Sequence, residues 1–238
     1  MSTEIRTMRK RFVIEFFKLH REIPGLLLLF ALITFVYLIP MAPTSDKLEL
    51  QKYMSFTLGV LISLPMALAG NFLVLKEYEK NTIDFIRTRQ GLEKIWVYRF
   101  IGFILLSLAG TVTLVFVSNA IFGEILPKRM AFTIFAPTLL LSGFMSVVTG
   151  FTKNAYVGAG AGVAIWLYCF FNPESLTTRL SINEINYYPF LEWVIYKNRP
   201  YLLSSLLPNR LVILGISIAL IIISYFLYKQ NLRFGSAT

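Results

Sequence analysis

The chain has 238 residues, is 56% hydrophobic and carries a formal net charge of +10 at pH 7, with a mean hydropathy of +0.64. Its apolar residues come in blocks about 20 long, the number that crosses a ~30 Å hydrocarbon layer at ~1.5 Å per residue, which excludes a soluble domain and makes it an integral membrane protein. One cysteine (Cys169) and one histidine (His20) exclude an internal disulfide and any Cys- or His-rich metal site, and the basic excess reads as cations flanking spans rather than as a nucleic-acid surface.

In residues 2–21, Ile5, Met8, Phe12, Phe16 and Leu19 recur at spacings of three and four, with Val13 and Phe17 beside them and basic residues over much of the remaining surface. That pattern predicts an amphipathic helix lying in the headgroup layer, its apolar stripe in lipid and its cations near anionic lipids. The apolar run that follows, 23–41, is span-length, lacks a small-residue cleavage site and is followed by further spans. It is expected to be a membrane span, not a signal peptide.

Further spans are predicted at 53–75 (with Pro65 and Gly70), 100–122, 130–151 (with Pro137), 155–171 and 211–228. Prolines inside spans are tolerated where neighbouring helices cover the freed carbonyls, so Pro65 and Pro137 suggest kinks. Only "TKN" separates the fourth span from the fifth. Residues 172–209 form an external segment rich in aromatics (Tyr187, Tyr188, Phe190, Trp193, Tyr196, Tyr201) and punctuated by Pro173, Pro189, Pro200 and Pro208. Tyr and Trp favour the membrane–water boundary, and "YPFLEWVIY" is too short to span, so one or two short interfacial or re-entrant helices are expected there. The predicted fold is an all-α membrane protein forming a single transmembrane domain over residues 1–238. It has six transmembrane helices, the N-terminal interfacial helix, and short external helices between spans five and six.

Lys and Arg concentrate in the N-terminal segment (Arg6, Arg9, Lys10, Arg11, Lys18, Arg21), in the link between spans two and three, at Lys153 and in the tail (Lys229, Arg233). The other side has Lys47, Lys52, Lys128, Arg129, Arg179, Lys197, Arg199 and Arg210 over a longer stretch. The positive-inside rule then puts both termini, and the link, in the cytoplasm.

That link, "KEYEKNTIDFIRTRQGLEKIWVYR" (Lys76 to Arg99), is charged beyond the needs of a turn. If 77–92 is helical, Ile83 and Ile86 fall three apart beside Phe85, with Thr82 flanking and Glu77, Glu79, Asp84 and Arg87 around them. An apolar knob in a polar rim is the layout of a protein–protein contact. A solvated loop obeying the positive-inside bias is the plainer reading, and charge alone would favour it.

The spans contain essentially no ionisable side chains, so an ion-coupled carrier lacks its coupling site. No catalytic constellation for membrane proteolysis or phosphotransfer is present, and no G-x-x-x-x-G-K-[ST] loop occurs. The chain is therefore expected not to be an enzyme. If it drives active transport, the energy must arrive from another polypeptide by contact.

In "EYEKNTIDFIRTRQGLEKIW" the chain resembles the permease subunits of ABC-2 type exporters, whose coupling segment carries Glu, then Gly-Thr, then a Leu-Glu-Leu-Leu-like run. Here Glu77 or Glu79 leads to Asn81-Thr82, Ile83-Asp84-Phe85-Ile86 follows, and Ile95 opens span three. Asn81 replaces the usual Gly, and Gln90-Gly91 stands where a proline turn is usual. The likeness in architecture covers the whole chain. It implies a half-transporter in a bacterial cell membrane that pairs with a second permease copy or paralogue. Each permease would receive a cytoplasmic ABC ATPase subunit on its 77–92 helix. The resemblance implies no cofactor in this chain, with ATP and Mg bound by the partner, and a cargo such as an amphipathic or hydrophobic peptide, as in bacteriocin and phenol-soluble modulin exporters. Ser63, Pro65 and Asn71 in span two, with Ser107 and Asn119 in span three, are candidate path-lining residues, although interhelical hydrogen bonding is the more usual role for such groups. Pro65 and the glycines Gly158, Gly160 and Gly162 are where conformational play is expected. Gly158 and Gly162 form a G-x-x-x-G that suits close helix packing, within the chain or between two copies. The alternative reading is a membrane scaffold or immunity protein that needs no ATP.

Overall fold

The computed structural model describes residues 57–74, 92–122, 130–171, 189–190 and 206–234, and among these there is no strand. A π-turn, Thr57–Leu61, leads into α1 (Ser63–Val74); then come α2 (Leu92–Phe122), α3 (Met130–Thr152), α4 (Ala155–Phe171) and α5 (Leu206–Phe234). The all-helical class is as expected from the apolar blocks. Three of these helices contain stretches long and apolar enough to cross a membrane: Trp96–Ala120, Phe135–Thr152 and Leu206–Asn231. Leu58–Phe72 and Ala155–Phe171 are shorter apolar helices. The 17 residues of α4 reach about 26 Å, a little under a typical hydrocarbon core. The expected N-terminal helix (2–21), the first span (23–41) and the charged link up to residue 91 lie outside the described residues, as does most of 172–205.

Helix boundaries extend beyond the apolar blocks in two places. Helix α2 begins at Leu92, eight residues before the expected entry at residue 100, and α5 begins at Leu206 and runs to Phe234 rather than covering 211–228. Hydropathy marks where lipid begins, whereas a helix continues while its backbone ladder and its packing are satisfied. Pro208 does not interrupt α5 because it sits in the first turn, where no intrahelical partner awaits its missing N–H. Pro137 lies inside α3, which continues through it.

Helix α3 is central and packs against the π-turn and all four other helices. Its partner α5 runs parallel to it, which two glycines show. A Cβ on Gly143 would meet Leu220 Cβ at 3.2 Å, and one on Gly150 would meet Leu227 Cβ at 3.0 Å, seven residues later on both helices. Without side chains at 143 and 150 the leucines seat directly on the α3 backbone, and Asn231 Nδ2 closes the seam by donating to the Gly150 carbonyl at 2.7 Å. Small residues matter here because lipid offers no hydrophobic drive between helices, leaving close van der Waals packing to hold them together.

The α3–α4 connection is a tight reversal. Lys153 adopts a left-handed conformation (φ 54°), and Asn154 caps α4 by accepting from the backbone N–H groups of Tyr156 (2.9 Å) and Val157 (3.3 Å). Asn is a preferred N-cap because its short side chain reaches those otherwise orphaned donors. Exposed apolar side chains cover the outer faces of α2 (Leu105, Val112, Phe116), α4 (Tyr156, Tyr168, Phe171) and α5 (Leu211, Ile218, Phe226). An outward apolar surface of this extent is what lipid requires of a membrane bundle.

Candidate functional site

Contacts between helices fix which ends lie together. A Cβ on Gly70, late in α1, would meet the Phe103 ring at 2.5 Å, so α1 ends where α2 begins. Trp96 at the start of α2 stacks on Phe100 (5.0 Å) and tilts against Tyr225 (5.4 Å) and Tyr228 (6.3 Å) near the end of α5. The C-terminal ends of α1, α3 and α5 and the N-terminal ends of α2 and α4 therefore share one end of the bundle. Lys94, Arg99, Lys153, Lys229 and Arg233 fall in sequence at this end. The charged link leaves from Val74 and returns at Leu92 there.

At this basic end one side chain joins three helices. Asn71 is fully buried. Its Nδ2 donates to the carbonyl of Ala155, the first residue of α4, at 3.1 Å, and its Oδ1 accepts from the Thr149 hydroxyl of α3 at 3.1 Å. Gly158 lies against the same point: a Cβ there would collide with Thr149 Oγ1 and come within 2.6 Å of the Met145 carbonyl. The close approach of α4 to α3 thus depends on Gly158. Phe72 and Tyr156 add a tilted ring contact at 5.5 Å beside the junction.

A second junction stands at the far end of the same helix pair. Pro65 lacks the N–H that would bond back to residue 60 in a π ladder or to residue 61 in an α ladder. The Val60 carbonyl accepts instead from the Trp166 indole N–H of α4 (2.9 Å) and from the Ser63 hydroxyl (2.8 Å). Trp166 is held in place by stacking on Phe170 at 5.0 Å. Neighbouring groups thus replace a backbone bond that proline removed, as low-dielectric surroundings demand.

The candidate path residues occupy varied positions. Ser63 and Asn71 are buried and make the bonds just described, Ser107 is buried on α2, and Asn119 and Pro65 are half-buried. Gly158 and Gly162 both face α3; a Cβ on Gly162 would collide with the Met145 side chain. Gly160 faces open space. Glu77, Glu79, Thr82, Ile83, Asp84, Phe85, Ile86 and Arg87 lie outside the described residues.

Two features escaped the sequence reading. Thr138, Ser142, Ser146 and Thr149 form a buried polar stripe on α3, and the Ser142 and Ser146 hydroxyls have no hydrogen-bond partner among the described residues. Their spacing of four, four and three marks one helix face, but four hydroxyls leave the mean hydropathy of α3 span-like. Arg210, expected as an external loop cation, is instead 2% exposed within the first turns of α5. Its Nη1 donates to the Pro189 carbonyl at 2.7 Å and to Asn209 Oδ1 at 3.2 Å, and Phe190 beside it is buried with Val60, Trp166, Cys169 and Leu206.

Comparison with family models, with curated proteins and with solved structures gave no match to this chain.

Proposed function

We propose that the chain is the transmembrane permease subunit of an ATP-driven ABC exporter, forming half of a translocation path for an amphipathic or hydrophobic cargo, with peptide favoured. In this reading a separate ABC ATPase binds ATP and Mg, and grips the permease at the 77–92 segment through Ile83, Phe85 and Ile86 within the rim of Glu77, Glu79, Thr82, Asp84 and Arg87. The bundle sits in a bacterial cell membrane with both termini in the cytoplasm, and a second permease copy or paralogue completes the path. The observation that carries the reading is the charged link joining α1 to α2 at the basic end, where Asn71 ties α1 to both α3 and α4. A contact made on the link would act on three helices at once.

The test is reconstitution with any ABC ATPase that co-purifies with the chain, in proteoliposomes holding a fluorescent amphipathic helical peptide. ATP-dependent peptide movement is expected, and Ile83→Asp or Phe85→Asp should abolish it while the spans stay folded. Normal transport by those variants would overturn the docking assignment. A chain that binds no ATPase would favour the scaffold reading.

A further inference from the structure

The two junctions between α1 and α4 share a register. Asn71 pairs with Ala155 at the basic end, and Val60 pairs with Trp166 at the other. Each partner is separated from its counterpart by eleven residues, on α1 with its π-turn and on α4 alike, and the two helices run antiparallel. On α4 eleven residues is three helical turns, so Ala155 and Trp166 lie on one face of that helix. Between them the seam is apolar, with Ala67 fully buried and Leu64 and Leu68 packed in the same cluster as Trp166 and Met145. A helix pair bonded at both ends of its seam cannot slide without breaking both buried bonds, and it cannot splay at either end without breaking one.

We infer that α1 and α4 are stapled into one body seated on α3 and that Asn71 is its positioning residue, passing displacement of the charged link into α4. The inference rests on the exporter reading above and goes beyond it by naming the joint. Val74, where the link departs, is three residues beyond Asn71. A push on α1 there meets Asn71 before it meets any flexible element, because the break in the α1 ladder, at the π-turn and Pro65, lies at the opposite end. That break is itself bridged by Trp166 of α4. Thr149 sets the position of the joint against α3, and Gly158 lets α4 lie close enough for all three to meet. Asn71 thus acts by holding helices in register, not by contacting cargo.

The only cysteine of the chain serves as a reporter. Cys169 is buried near the far end of α4, fourteen residues and about 21 Å along the helix axis from Ala155. With the intact complex of permease and its ATPase, the rate of Cys169 modification by N-ethylmaleimide is measured without nucleotide and with ATP and vanadate, and ATP hydrolysis is followed alongside. In the wild type, trapping is expected to change the rate about fivefold or more, the lower range of allosteric coupling. Asn71→Leu, which keeps the approximate volume and removes the bond to Ala155, should leave the ATPase bound and hydrolysing but reduce the nucleotide dependence to near unity. Thr149→Val, which removes only the tie to α3, should leave most of the dependence in place, and its loss there would overturn the route through Ala155. A purely structural role would shift the rates with and without nucleotide together and leave their ratio unchanged, and that result overturns the joint. So does a wild type whose Cys169 ignores nucleotide while hydrolysis proceeds. Failure of any ATPase to bind overturns the exporter reading, and with it this inference, and is distinguished by the absence of co-purification.

Discussion

The indole N–H of Trp166 donates to the Val60 carbonyl at 2.9 Å, in the place where Pro65 leaves the α1 ladder without a donor. The expected consequence is thermodynamic coupling between residues 65 and 166, which are 101 positions apart in sequence. Trp166→Phe keeps the stacking on Phe170 and removes the donor, and the Ser63 hydroxyl remains on the carbonyl. The cost should be about 1 kcal/mol, in line with interhelical hydrogen bonds in membrane bundles. Pro65→Ala supplies a backbone N–H that can take the same acceptor. The Trp166→Phe penalty should then shrink by about half or more in a double-mutant cycle of thermal unfolding in detergent. Strict additivity would show that the indole bond does not compensate for the proline.

The glycines of α4 separate cleanly. Gly158→Ala drives a methyl into Thr149 Oγ1 and the Met145 carbonyl, neither of which is the yielding tip of a long side chain. The cost should be about 1–3 kcal/mol, the range for overpacking a filled core, with the Asn71 junction loosened as well. Gly162→Ala meets the flexible Met145 side chain, and should cost less because methionine can repack. Gly160→Ala enters open space, and should be neutral or stabilising by up to about 1 kcal/mol through helix propensity. Thermal unfolding of the three variants in one detergent checks the order; a Gly158→Ala protein as stable as Gly160→Ala would refute it.

This contrast also shows what the sequence could and could not reveal. The helical class, the apolar blocks and the turn at 152–154 follow from composition, because lipid leaves the backbone little choice but helix. The separation of α3 from α4 rests on residues that announce themselves locally, namely Asn154 as a cap. The facing of a glycine does not announce itself. Gly158 and Gly162 read as a packing pair, but the sequence does not say that their partner is α3 of the same chain; Gly160, grouped with them as a place for conformational play, looks outward. Asn71 was legible as a polar residue in an apolar span, but its two partners lie 78 and 84 residues away. Arg210 misled for a related reason: a cation next to an external loop is ordinarily exposed, and here the Pro189 carbonyl and Asn209 Oδ1 help make its burial tolerable.

Burial of Arg210 predicts a measurable latch. Its guanidinium bonds the Pro189 carbonyl, and Phe190 next to it packs with Cys169 in one apolar cluster. Arg210→Leu removes a charge-assisted hydrogen bond, which is worth about 1.5–3 kcal/mol when the acceptor stays buried. The Pro189–Phe190 turn should loosen and Cys169 should react faster with a small maleimide, by about tenfold for each 1.4 kcal/mol of opening free energy lost. Phe190→Ala should have the same direction of effect without touching the charge. Unchanged Cys169 reactivity in both variants would show that the turn does not shield that cluster.

The arrangement of helix ends predicts sidedness that can be read without any partner. The end carrying Lys153 and Lys229 should face the cytoplasm, because basic residues flanking spans are retained on that side. Leu207, 64% exposed at the start of α5, belongs to the opposite end. In a Cys169→Ser background, Leu207→Cys should react with a membrane-impermeant maleimide on intact cells. Lys153→Cys should react only after permeabilisation; it replaces one residue with a side chain by another at the φ 54° position, so it adds no new backbone strain. Because α1 ends and α2 begins at the same end as Lys153, this pair of labels also assigns the side from which the 75–91 link is reached. The reverse labelling pattern would put that link outside the cell, beyond the reach of any ATPase, and the exporter reading would fail with it.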